Sequence, residues 1–193
     1  MKNILLALLM PLTCYCQHAI QIDSFSGVKF GASKEEAFQI VKNLGAFVSS
    51  VNQIDELAYL DNLEFAGVKS KTAYLKFTDD KFYEGILEFQ VNPDNYKDMY
   101  NRMKHALTQT YGYGKDFSWI EEPYYFGDGY EFSAFMEKKA KLCHVWAKGK
   151  QVTSDDFILM EIGGDRILRI VFQNHAFALS ASKKSRHLEA SNK

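Results

Sequence analysis

The stretch from Thr72 to Phe89 constrains this chain most, because only one local structure buries its apolar side chains together. Ala73, Leu75 and Phe77 alternate with polar neighbours, so an extended strand places all three on one face. Thr78-Asp79-Asp80-Lys81 supplies turn residues, and Phe82 to Phe89 returns as a second strand, making an antiparallel hairpin. A similar pair runs from Phe157 to Ile162 and from Arg166 to Phe172 around the turn Gly163-Gly164-Asp165. Lys141 to Lys148 precedes it as a further strand. The later pair is apolar on both faces, which predicts a central place in a sheet.

Helical spacing appears twice. Ser33 and Glu36 form a capping box, Ala37, Ile40, Val41 and Leu44 follow on one face, and Gly45 is a suitable stop. Phe25 to Phe30 reads as a short strand entering this helix through Gly31. A second helix opens at Asn92-Pro93, carries Tyr96, Met99, Tyr100, Met103, Leu107 and Tyr111 on one stripe, and ends at Gly112. That stripe suits packing on a sheet; a ligand groove is the alternative. The order helix, extended stretch, meander thus occurs twice, starting near residues 25 and 92. It predicts an α+β protein of two tandem helix-plus-antiparallel-meander modules whose sheets join, with the helices packed on one face. The divisions fall at 1–16, 17–91, 92–174 and 175–193, the last a polar, basic tail.

Two passages carry a family resemblance. Val28-Lys29-Phe30-Gly31-Ala32-Ser33-Lys34-Glu35-Glu36-Ala37, closing at Leu44-Gly45, resembles the opening of the beta-lactamase-inhibitor-protein-like family and the related outer-membrane assembly lipoproteins. Tyr74-Leu75-Lys76-Phe77-Thr78-Asp79-Asp80-Lys81-Phe82-Tyr83 is similar to their hairpin. The resemblance implies the same helix-and-meander shape and an exported bacterial module. The chain lacks the lipoprotein cysteine and the inhibitor's disulfides, and it shows the aromatic strand signature only at Trp146, so no functional residue is carried over.

Export is also expected from residues 1–16. Lys2 precedes an apolar run from Ile4 to Leu12 interrupted only by Pro11, the pattern of a secretory signal. The run is far shorter than the roughly 20 residues of a spanning helix. Cleavage is expected after Cys16, leaving Gln17, with a site near Ala19 as the alternative; this ending resembles exported proteins of the Bacteroidetes group. Lipid attachment at Cys14 or Cys16 fits less well, because Pro11-Leu12-Thr13 and Cys14-Tyr15 precede them. Removing the signal leaves Cys143 as the single cysteine, so no intramolecular disulfide can form, and Cys143 reads as a small buried side chain. It also removes Lys2 from the 23 basic residues, leaving 22 against 24 acidic ones, a net charge of −2 that gives nucleic acid no electrostatic reason to bind. The basic residues Lys183, Lys184 and Arg186 concentrate in the tail, which reads first as a solvated end; contact with anionic lipid or envelope polymer is the alternative, and the tail is the one place for it.

Motifs for catalysis are few. The chain contains no nucleophile elbow, Walker loop, dinucleotide fingerprint, paired-histidine helix or Cys-x-x-Cys. Its five histidines are scattered, and His144 beside Cys143 would point to the opposite face of a strand. The pairs Asp79-Asp80, Glu121-Glu122 and Asp155-Asp156 fall at turns, where carboxylates bind backbone; calcium at Asp128-Gly129 would need further ligands that the sequence does not name. No catalytic residue, metal ligand or cofactor is assigned. The segment Phe117–Phe135 differs, crowding aromatic residues around Pro123 and Gly127-Asp128-Gly129. Part of it must be core; Trp119, Tyr124, Tyr125 and Tyr130 are the candidates for a binding surface, being residue types enriched at interface hot spots. Three functions follow: an exported, non-enzymatic module binding another envelope or secreted protein through the sheet face or this loop, a hydrolase-like enzyme with a motif-less loop site, or an envelope-associated structural component.

Overall fold

A computed structural model describes residues 21–54, 56–147 and 156–191, with side chains through Arg186. The export segment with Cys16 and Gln17, and Asp155, lie outside the described residues. The first half contains β1 (Ser24–Phe25), β2 (Val28–Lys29), α1 (Lys34–Asn43), β3 (Phe47–Asn52) and β4 (Leu57–Asp61), then β5 (Glu64–Phe65), β6 (Val68–Lys69), β7 (Thr72–Thr78) and β8 (Lys81–Gln90). The second contains α2 (Tyr96–Tyr111), β9 (Lys115–Asp116), β10 (Trp119–Ile120), α3 (Glu131–Met136), β11 (Ala140–Ala147), β12 (Phe157–Ile162), β13 (Ile167–Gln173) and α4 (His175–Ser191).

The main sheet has nine strands in the order β10-β11-β12-β13-β8-β7-β4-β3, with β9 also paired to β11, and every pairing is antiparallel. The fold is therefore α+β, and each half adds its own meander. The two meanders join through their last strands, β8 and β13, where Leu87 faces Ile170. Alternation assigns the faces. Ala73, Leu75, Leu87, Phe89, Leu168, Ile170, Ile158, Met160 and Trp146 are all buried and share one core with Ala37 and Val41 of α1, Tyr100, Met103 and Leu107 of α2, and Ala134 and Phe135 of α3. The opposite, outer face carries an ionic network instead. Arg169 reaches Glu88 at 2.9 Å, Asp165 at 3.0 Å and Glu161 at 3.7 Å, while Lys141 meets Glu161 and Lys76 meets Glu84, each at 2.6 Å.

The capping box forms as the spacing requires: Ser33 N–H donates to Glu36 Oε2 at 2.9 Å, and Glu36 N–H to Ser33 Oγ at 3.3 Å. Asp80 extends it from the β7–β8 turn by accepting the Lys34 N–H at 3.1 Å. Ser33→Ala is expected to lower unfolding stability by about 1 kcal/mol in urea titration, and Ser33→Gly by only a few tenths. Equal losses would mean that the side-chain cap contributes nothing.

Three local expectations change. The strand expected over Phe25–Phe30 is a tight ribbon of β1 and β2, because Ser26 and Gly27 both take positive φ, 47° and 81°. The second helix begins at Tyr96, three residues after Pro93, because Asn92 Oδ1 accepts the N–H groups of Asp94 and Asn95 in a separate turn. Residues 175–191, expected as a polar tail, form α4. Asn174 Oδ1 caps it at Phe177 N–H, Asp156 accepts the His175 N–H at 2.9 Å, Phe177 packs beside Gly31, and Lys184 pairs with Asp79 at 2.8 Å. These contacts tie the helix to the hairpin end of β7 and β8. Of the basic residues proposed for lipid contact, Lys184 is thus engaged by Asp79 and Glu56, while Lys183 and Arg186 are exposed.

Candidate functional site

The four candidate aromatics do not form one patch. The register between residues 116–120 and β11 is continuous, from Asp116 opposite His144 to Ile120 opposite Ala140. Phe117 and Trp119 therefore point to the outer face, beside Cys143 and Lys141, while Ile120 packs against the core. Trp119 is 41% exposed.

Tyr124, Tyr125 and Tyr130 sit on the loop between β10 and α3, which begins with a cis Glu122–Pro123 bond. Tyr124 turns inward: its hydroxyl donates to Glu137 at 2.7 Å, and Lys139 Nζ lies 5.6 Å from its ring centre. That bond to Glu137 also raises the pKa of the phenol and lowers that of the carboxyl. Tyr125 and Tyr130 turn outward, 66% and 65% exposed, with Phe126 between them also exposed. Phe132 and Phe135 of the same segment go to the core, in ring contact with Tyr96.

Two carboxylates hold this loop. Asp128 accepts Tyr125 N–H on one oxygen at 3.0 Å and Tyr130 N–H on the other at 2.7 Å, fixing both tyrosines at their backbones. Both oxygens are thereby used as hydrogen-bond acceptors, a role Asp commonly fills in turns. Glu131 is 4% exposed and accepts from Lys97 Nζ at 2.9 Å, Gly127 N–H at 2.8 Å and Tyr96 hydroxyl at 3.3 Å. Burial pushes its pKa up, but the Lys97 and Gly127 hydrogen bonds outweigh burial and hold it at about 2. Sequence reading missed Glu131 as the brace of the loop. A single Glu before an aromatic run resembles any helix-starting acid, and its partner Lys97 lies 34 residues away.

A cavity of about 210 Å³ opens beside this brace, lined by Tyr96, Tyr100, Phe126, Phe135 and Leu142, with Lys97 and Asn101 at its polar side. Elsewhere the acidic turn residues are already engaged: Asp80 accepts the Lys34 N–H and Asp156 the His175 N–H, while Asp79 pairs with the Lys184 ammonium. Cys143 and His144 lie on opposite faces. Burial pushes the Cys143 thiol up, and the buried His144 ring leans on Trp146 at 4.9 Å with its pKa lowered, mainly by burial. Among the described residues no group of three or more His, Cys, Asp or Glu is placed to hold a metal ion, and no helix is long and apolar enough to cross a membrane.

The fold and site define an α+β protein with one helix-covered sheet face, one charged face and an aromatic loop at the sheet's end. The chain matches no protein-family model, no curated protein and no solved structure.

Proposed function

We propose that this protein is a non-enzymatic binding module that docks another envelope or secreted protein on the loop bearing Tyr125, Phe126 and Tyr130. One observation carries this reading: Tyr125 and Tyr130 are held out in solvent, with the half-exposed Phe126 at the mouth of the cavity, by a backbone that Asp128 and Glu131 immobilise. A packed core would take such side chains inward, as it takes Phe132 and Phe135. A preordered loop loses little conformational entropy on association, and tyrosines bury large area at the cost of few rotatable bonds. The signal expected in residues 1–16 and the resemblance to exported bacterial modules support a partner outside the cytoplasm.

A second reading places the partner on the outer sheet face, and Phe117 and Trp119 at its margin favour it. Affinity capture from envelope extract, followed by titration of the captured protein, separates the two. Tyr125→Ala with Tyr130→Ala is expected to weaken binding at least 30-fold, since a hot-spot aromatic carries about 2 kcal/mol or more. Trp119→Ala should leave it nearly unchanged. The reverse pattern would move the site to the sheet face, and an unchanged partner set with all three variants would remove both.

A further inference from the structure

The exposed apolar side chains of this molecule gather at both ends of the sheet. Of the twelve large ones exposed among the described residues, six lie between residues 113 and 130, and five, Leu44, Phe47, Val51, Ile54 and Tyr59, lie at the β3 end. The two terminal strands differ in kind. At one edge, residues 115–120 form two strand fragments of two residues each and carry Lys115 and Asp116, charged interruptions that discourage pairing with another chain. At the other edge, β3 is six residues long, Phe-Val-Ser-Ser-Val-Asn, with no charge and no proline. Among the described residues no strand lies beside the outward backbone of residues 47–51.

We infer that β3 is a self-association edge, on which a second copy of this chain adds its own β3 antiparallel and extends the sheet across a two-fold axis. The occupant follows from the strand's own sequence. Val48-Ser49-Ser50-Val51 reads the same in both directions, so antiparallel pairing about its centre sets Val48 opposite Val51 of the second copy. A two-fold interface must be complementary to itself, and an uncharged, palindromic strand meets that condition with no like charges brought together. Face assignment agrees. Val48 faces Leu60 and Val51 faces Ala58 across β4, so both point to the core side, and the two valines would meet on one side of the joined sheet.

A bulge between Val48 and Ser50, with Ser49 Oγ donating to the Tyr59 carbonyl at 3.4 Å, costs the ladder a position at its centre. Pairing is then carried on either side of the bulge by Val48 and Val51, together with the exposed Phe47. Six residues bury much less than the roughly 1,600 Å² of a standard interface. The dimer is therefore weak and reversible, and becomes populated only as concentration rises.

Sedimentation equilibrium of the purified chain, over a wide range of concentrations, tests the inference. The wild type is expected to shift from one to two chain masses, with amide exchange slowing as concentration rises only within residues 47–52. Val51→Lys and Ser50→Lys, both at exposed positions, should hold the chain at the monomer mass with unchanged circular dichroism. Tyr125→Ala with Tyr130→Ala should still dimerise, so failure of the binding-loop reading leaves this one standing. A wild type that stays monomeric, a dimer untouched by both lysine variants, or slowed exchange outside β3 would each overturn it.

Discussion

Gly85→Ala is expected to cost roughly 3 kcal/mol of folding stability, an unusually large loss for adding one methyl group. Gly85 lies in the middle of β8, paired with Leu75 on one side and Phe172 on the other, and the ring of Phe25 lies directly over its backbone. A Cβ built there would sit 2.5 Å from Cδ1 and 2.7 Å from Cδ2 of Phe25. The ring cannot retreat: Phe25 is fully buried, 5.4 Å from Phe172 and 6.2 Å from Phe82 between ring centres. Either Phe25 leaves its rotamer or β8 moves away from it, and β8 joins the two meanders. Urea unfolding measures the loss. Phe25→Leu combined with Gly85→Ala should recover part of it, because the shorter side chain admits the methyl; strict additivity of the two substitutions would show that this contact is not the cause.

Acid should loosen the aromatic loop before it unfolds the sheet. Glu131 has its folded pKa depressed from 4.5 to about 2, so its contribution is complete above 4.5 and is lost as pH falls from there towards 2. The shift corresponds to roughly 3 kcal/mol for this buried carboxylate. Glu36, Asp116 and Glu137 are depressed as well and act in the same direction, so the wild-type curve alone does not isolate Glu131. Glu131→Gln does. It should lose a similar amount at neutral pH, expose the Tyr125–Tyr130 segment to rapid amide exchange, and show a flatter stability profile between pH 4.5 and 2. A variant with the wild-type profile would mean that Lys97 and Gly127 do not depend on that charge.

Much of the framework was legible because its causes are local. Alternation over Thr72–Phe77, the acidic turn, the Ser33–Glu36 box and the stripe from Tyr96 to Tyr111 each depend on residues within a few positions, and each forms in the structure. The double-sided apolar pattern of residues 157–172 likewise located β12 and β13 inside the sheet. The end of the chain was misread for the opposite reason. Its Lys and Ser residues look solvated on their own, and the anchors that make α4 a docked helix, Asp156, Gly31 and Asp79, are supplied by distant segments.

The candidate site divides along the same line. Composition was enough to single out Trp119, Tyr124, Tyr125 and Tyr130, but aromatic residues serve cores and surfaces alike. Direction was decided by tertiary partners: the register with β11 turned Trp119 to the outer face, Glu137 and Lys139 drew Tyr124 in, and Asp128 fixed Tyr125 and Tyr130 outward. By itself the sequence determined α1, the stripe of α2, the β7–β8 hairpin and the strands β11 to β13, and that these combine as α+β, since those outcomes follow from short-range periodicity and caps. Which meander edges meet, why β8 must carry a glycine under Phe25, and which aromatics face solvent were decided only in the folded chain. These depend on groups brought together from tens of residues apart, where no local pattern records them.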